Sequence, residues 1–201
     1  MLIDGALADY RAWGNEVPGV YQIYPYTDDN SAAGVILYVC ADKEATGSRV
    51  ADSAMLKAVG KSCTYDPETG MATRKPLTAV LDPGFDESYT NIKTITEEIF
   101  DVYIIGYNGD IDSMKDTVKT NIENYLLERE PYIRGLSVDN NRMDDISVNN
   151  LIGIVNEIAI ANTASFTGVS LYHASESIAA YQLGRGELAK LGTLYINGVA
   201  V

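Results

Sequence analysis

His173 is the only histidine in this 201-residue chain, and it narrows the chemistry to be sought. One imidazole at the end of an apolar run reads as a structural or surface residue. Neither a histidine-based triad nor a multi-histidine metal site is expected. Carboxylates can hold Mg²⁺ or Ca²⁺ without histidine, and two acidic clusters are candidates: Asp28-Asp29-Asn30, and the stretch Asp139 to Asp145 with its Asp144-Asp145 pair. Neither has the glycine and glutamate spacing of an EF-hand loop, and turn chemistry explains Asp and Asn at both places. The two cysteines, Cys40 and Cys63, lack CxxC spacing. Cys40 falls within the apolar run Gly34–Ala41 and reads as a small buried hydrophobe, while a disulfide to Cys63 stays open. There is no GxSxG, P-loop, HExxH or GxGxxG signature. Gly184-Arg185-Gly186-Glu187 resembles a tight connection into a strand more than a phosphate cradle, which would open a helix. No catalytic, cofactor-binding or metal residue is therefore assigned, and an enzyme is not expected.

Fourteen tyrosines stand against three phenylalanines and one tryptophan. The pairs Tyr24/Tyr26 and Tyr103/Tyr107 would alternate along strand faces. Two uses are open for them: half-buried sheet packing with the hydroxyl reaching water, or protein–protein contact, where tyrosine is enriched. Trp13 sits on the apolar stripe of the first helix and reads as core. A net charge of −13 argues against a general binder of phosphate backbones, so nucleic acid is not an expected partner. No apolar run approaches the roughly 20 residues needed to cross a bilayer. Met1–Gly5 has neither a basic nor an apolar leader region. No membrane partner is expected, and the cytosol is the expected folding compartment.

The elements that would position these residues follow from periodicity. Leu7, Tyr10, Trp13 and Val17 recur at helical spacing, predicting a helix from Ala6 to Glu16, capped by Asp4 and stopped by Pro18-Gly19. Val20–Tyr26 and Gly34–Ala41 read as hairpin strands around the turn at Asp28–Ser31, the second continuous enough to be central. A helix capped by Ser48 and a short strand over Pro76–Leu81 complete an αββαβ module. Asp82-Pro83-Gly84 then opens a polar connector. The second module reads βααββ. It comprises a strand over Ile99–Tyr107, a long helix capped by Asp110 or Asp112 and closed by Pro131, a helix capped by Ser147, and strands at Phe166–Tyr172 and Leu188–Ile196. The fold class is α+β: two small domains, residues 1–82 and 99–201 joined by 83–98, each a mixed or antiparallel sheet with helices on one face.

Three ordered segments resemble the baseplate J-like family of contractile-tail wedge proteins. The first is Ala8-Asp9-Tyr10-Arg11-Ala12-Trp13 running into Val17-Pro18-Gly19-Val20, followed by the aromatic-proline step Tyr24-Pro25. The second is Arg74-Lys75-Pro76-Leu77-Thr78-Ala79-Val80. The third is Gly186-Glu187-Leu188-Ala189-Lys190-Leu191-Gly192-Thr193 with the strand after it. The resemblance covers nearly the whole chain and implies that it holds the family's middle and C-terminal domains, without the further N-terminal region that members usually carry. The stretch Asp82–Glu98 is longer than in the family, and its Pro/Gly-rich start suggests a pivot between the domains.

The same resemblance implies a structural role in the baseplate of a phage, prophage or tailocin tail, assembled in the bacterial cytoplasm. The implied partners are copies of the chain itself, as a homodimer or as ring neighbours, and other wedge and hub proteins, with the C-terminal domain making the main self-contact. The rival readings are a small-molecule-binding regulatory α+β domain and, behind it, an enzyme using acidic metal ligands.

Overall fold

A computed structural model describes residues 7–28, 35–71, 74, 91–140 and 142–201. The chain divides into two compact units: Met1–Thr96 together with Ile133–Asn141, and Glu97–Tyr132 together with Arg142–Val201. The segment 133–141, placed in the second module by the sequence, thus groups with the first.

The first unit begins with helix α1 (Leu7–Asn15), whose buried side carries Tyr10 and Gly14 one turn apart. Gly14 sets how closely α1 lies on the sheet, because a Cβ there would stand 2.5 Å from Ile23 Cγ1. The chain then turns at Gly19, in the left-handed region at φ +83°. Strands β1 (Val20–Thr27) and β2 (Val35–Ala41) pair antiparallel, with Ile23 opposite Val39. Strand β3 (Ile92–Thr94) adds parallel to β2 at Leu37 and Val39, which makes β2 central as the sequence predicts. Tyr10, Ile23, Leu37, Val39, Val59, Cys63 and Ile92 form the core.

Two expectations for this unit need correction. The single helix capped by Ser48 is replaced by α2 (Lys43–Thr46) and α3 (Ser53–Ser62). Gly47 ends α2 at φ +80°, and Ser48 spends its hydroxyl accepting from Val50 N–H. Val50 in turn bridges to Cys40 in extended form. A helix can restart only at Asp52, whose carboxylate accepts from Met55 N–H at 2.8 Å. The connector reading of 83–98 also fails at its C-terminal end. Ile92–Thr94 is laddered into the first sheet and Thr96 already begins the next strand. The predicted strand at Pro76–Leu81 lies outside the described residues.

Among the described residues β1 is the edge strand of this sheet, and side chains engage the backbone of Ile23 there. Ile23 C=O accepts from Arg11 Nε at 3.1 Å, and Ile23 N–H donates to Gln22 Oε1, which Asn15 Nδ2 also reaches at 2.9 Å. Two residues on, Pro25 has no N–H to offer, and a register shift between Val20 and Gln22 bends the strand.

In the second unit β4 (Thr96–Ile105) leads to α4 (Ile111–Leu127), β5 (Asp145–Ser147), α5 (Val148–Ala161), β6 (Gly168–His173), β7 (Glu176–Ile178), β8 (Ala180–Gln182), β9 (Glu187–Ile196) and β10 (Val199–Ala200). The βααββ reading has the main order right and misses four short strands, β5, β7, β8 and β10. The principal sheet runs β10-β9-β4-β6-β7, and β5 pairs with β8 separately. Asp110 caps α4 by accepting from Asp112 and Ser113 N–H, and Ser147 caps α5 by accepting from Asn150 N–H. Met114, Val118, Ile122 and Leu126 of α4 and Leu151 and Val155 of α5 pack on Phe100, Val102, Ile104, Leu171, Leu194 and Ile196. Period-2 alternation sends Ile99, Asp101, Tyr103 and Ile105 to the face of β4 away from that core.

Candidate interaction surface

The residues with chemical promise are mostly occupied in holding the fold. Cys40 and Cys63 are both buried and not joined in a disulfide, and burial pushes the Cys63 thiol up to about 12, far from a reactive thiolate. His173 Nε2 meets Glu98 Oε2 at 2.7 Å, and its ring packs between Phe100 and Tyr181. Asp144, the centre of the second acidic cluster, is a buried carboxylate. Arg142 grips both of its oxygens, and Gln182 Nε2 donates to it at 3.0 Å. The Arg142 hydrogen bonds hold its carboxyl below the usual aspartate range against the opposing effect of burial. Its own C=O accepts from Leu183 N–H, so Asp144 ties the β5–β8 ribbon in place. Asp29 and Asn30 lie outside the described residues. Among the described residues no cluster of three or more His, Cys, Asp or Glu could hold a metal ion, and no helix is long and apolar enough to cross a membrane.

The Gly184–Glu187 segment is a turn into β9, as its sequence suggests. Glu187 N–H donates to Gly184 C=O, and the Glu187 carboxylate accepts from Gly184 N–H at 2.8 Å and from Tyr181 Oη at 3.0 Å. Burial and the adjacent Glu187 push the Tyr181 phenol up to about 12, which keeps it a donor.

Segments singled out in the sequence prove to be architectural contacts. Arg74 reaches back to Glu16 at 2.6 Å, donates to Ser62 C=O and lies 5.8 Å from the Trp13 ring centroid. Trp13 itself is half-buried at the margin of the core, edge-on to Tyr10. In β9, Gly192 sits beneath Asp101, whose carboxylate accepts from Thr193 N–H at 2.6 Å. A Cβ at Gly192 would fall 2.4 Å from Asp101 Oδ1 and 2.7 Å from Ile99 Cγ2.

The tyrosines divide sharply. Tyr24 and Tyr26 are 1% and 5% exposed, buried outright where half-burial was expected. Tyr107 does not alternate with Tyr103 along β4, because Gly106 ends the strand at φ +65° and Tyr107 turns into the core. Tyr103 instead stacks on Tyr195 of β9, with ring centroids 4.3 Å apart and 10° between planes. On the other side it meets Tyr172 of β6 at 4.9 Å. These three half-buried rings line the sheet face opposite the helices, flanked by Ile99 and Ile105, which are 54% and 51% exposed. Strand pairing creates this cluster: Tyr172 and Tyr195 were invisible as its members because they are distant in sequence from Tyr103. An apolar, aromatic face on a monomer is the ordinary signature of a contact surface.

Residues 4–83 match the family model described as the baseplate J-like central domain. Among solved structures, the chain is similar to one in the cryo-EM structure of the anti-feeding prophage baseplate, six-fold symmetrised. The TM-score is 0.51 at 8% sequence identity, over 92% of this chain and 37% of that one. At that identity the likeness speaks for the fold, and the chain spans little more than a third of its neighbour's length. No curated protein matches.

Proposed function

We propose that this chain, which carries a baseplate J-like central domain over residues 4–83, is a structural component of the baseplate of a contractile phage tail or related prophage particle. The family match is the observation that carries the reading, and the fold likeness to a prophage baseplate chain supports it. The role we infer is mechanical, and the carboxylates, histidine and cysteines described above serve packing, caps and ion pairs. The match does not favour a ligand-binding regulator.

Partners are further copies of the chain and other baseplate proteins, and the Tyr103–Tyr172–Tyr195 face is the contact of the second unit with a neighbouring copy. Weak single contacts of this kind become strong when a ring closes and many act together. The test is genetic and structural. Cells lacking the protein should release tails without complete baseplates, and the wild-type gene should restore them. Ile105→Glu should leave the chain folded and fail to restore assembly. Normal particles from cells lacking the protein would refute the baseplate role. Full rescue by Ile105→Glu would refute only the assigned face.

A further inference from the structure

We propose that Tyr103 and Tyr195 form an oxidative cross-linking site, at which a one-electron oxidant joins the two phenols carbon to carbon into a dityrosine across β4 and β9. The inference stands on ring geometry and is independent of the functional reading. Coupling of two phenoxyl radicals forms a bond between ring carbons ortho to oxygen, so the rings must overlap with their oxygens on the same side. Lys190 beside Glu97, Thr193 beside Asp101 and Asn197 beside Ile104 show that β9 runs parallel to β4. Side chains on parallel neighbours lean the same way along the strands, which brings the two phenols alongside each other. The observed 4.3 Å and 10° stack is that arrangement. The shift of the Tyr103 phenol agrees with it: burial raises its pKa first, and then the charge and hydrogen bonding of Tyr195.

Two other close pairs lack the geometry. Tyr172 belongs to the antiparallel strand β6 and is tilted by 59° to Tyr103, and Tyr26 meets Tyr38 edge-on at 83°. Both rings of the proposed pair are half-buried, on a face open to a small oxidant. In the reaction each phenol gives up one electron and its hydroxyl proton. The two phenoxyl radicals couple at their ortho carbons, and the ring hydrogens displaced there return as protons to the oxygens. The chain loses two electrons and two protons in all. With photo-excited tris(bipyridyl)ruthenium and persulfate as oxidant, one persulfate takes the two electrons and leaves as two sulfates.

The experiment is brief illumination of the dilute, folded full chain with that reagent, read by dityrosine fluorescence and by mass spectrometry of tryptic peptides. The expected product is one intramolecular species, lighter than its two peptides by two hydrogens and linking Tyr103 to Tyr195. Tyr195→Phe or Tyr103→Phe should lower the yield about tenfold, as held neighbours react far faster than encounters in dilute solution. Tyr172→Phe and Tyr21→Phe should leave it unchanged, and unfolding in urea should abolish the specific link. Products spread over the tyrosines by exposure, led by Tyr21 at 66%, would overturn the proposal. An undiminished yield in Tyr195→Phe whose thermal melt matches wild type would overturn it as well.

Discussion

The two sheets use the same residue type in opposite ways. In the first, Tyr24 and Tyr26 alternate with Ile23 along β1 and are buried, so both faces of that strand are closed, and Arg11 and Gln22 engage its backbone at Ile23. In the second, the helices cover one face only, and Tyr103, Tyr172 and Tyr195 stack with one another on the open one. The difference teaches that tyrosine content does not mark a contact surface. What marks the proposed one is three rings from three strands meeting on a face that the second unit's own helices leave open.

The sharpest way to break the comparison is to truncate one ring from each sheet. Tyr24→Ala should cost about 3–5 kcal/mol, the range for emptying a fully buried aromatic site. Tyr103→Ala should cost less, roughly 1–2 kcal/mol, from the stacking and partial burial of a ring on the open face. Urea denaturation of the full chain, with each unit followed by its own probe, measures both. Equal costs would mean the open face is no less committed to the fold than the closed one.

Charge sharpens the contrast further. The second unit ties its margins with carboxylates: Glu97 to Lys190, Glu98 to His173, Asp101 to Thr193 N–H, Asp144 to Arg142 and Gln182, and Glu187 to Tyr181. Asp144→Asn should destabilise that unit by about 2–4 kcal/mol, since a buried partner is removed from Arg142. The sign with pH follows from the lowered carboxyl. The contribution is complete above the ordinary aspartate value of about 4 and is lost as pH falls through the lower folded-state value. The gap between wild type and Asp144→Asn in chemical denaturation should accordingly close as the pH falls below the ordinary aspartate range. A gap that widens on acidification would contradict the assignment.

Helices and long strands were legible in the sequence because their signals are local. The helices α4 and α5, their caps Asp110 and Ser147, and the pairing of β1 with β2 all stand where the sequence put them. The failures share a cause, which is that distant pairing overrode local pattern. Ile92–Thr94 looks like a polar connector and becomes a strand because Leu37 and Val39 of β2 offer it a ladder. Ser48 looks like a helix cap, yet the extended Val50 bridge to Cys40 delays the helix to Asp52. The proposed interaction face was half legible. Tyr103 was singled out with the wrong neighbour, since no spacing along one strand reveals Tyr172 or Tyr195.

A glycine separates the two sheets at smaller scale. In the first unit Gly14 brings a helix close to Ile23, whereas in the second Gly192 makes room for a carboxylate on the open face. Gly192→Ala should cost about 1–3 kcal/mol, because Asp101 must leave the Thr193 N–H when a methyl enters its place. Pairing it with Asp101→Ala in a double-mutant cycle tests the cause: the second alanine should remove most of the penalty. Additive losses would show that the crowding arises from Ile99 instead.

The smallest effect is expected in the first unit's own core. Tyr10 is fully buried, and its hydroxyl has no partner among the described residues. Burial drives its pKa well above that of an ordinary phenol, with the neighbouring Cys63 and Asp9 adding to the rise. A buried hydroxyl without a partner opposes folding, and replacing it with hydrogen leaves the ring's packing against Trp13 in place. Tyr10→Phe should therefore be neutral or stabilise the unit by up to about 1 kcal/mol. In the second unit, Tyr181→Phe removes the donor to Glu187 and should lose a similar amount. Thermal melts of the two variants should move in opposite directions. A loss in Tyr10→Phe equal to that in Tyr181→Phe would mean that the first core, too, depends on its phenol, and the contrast between a sheet closed by packing and one bound by polar ties would not hold.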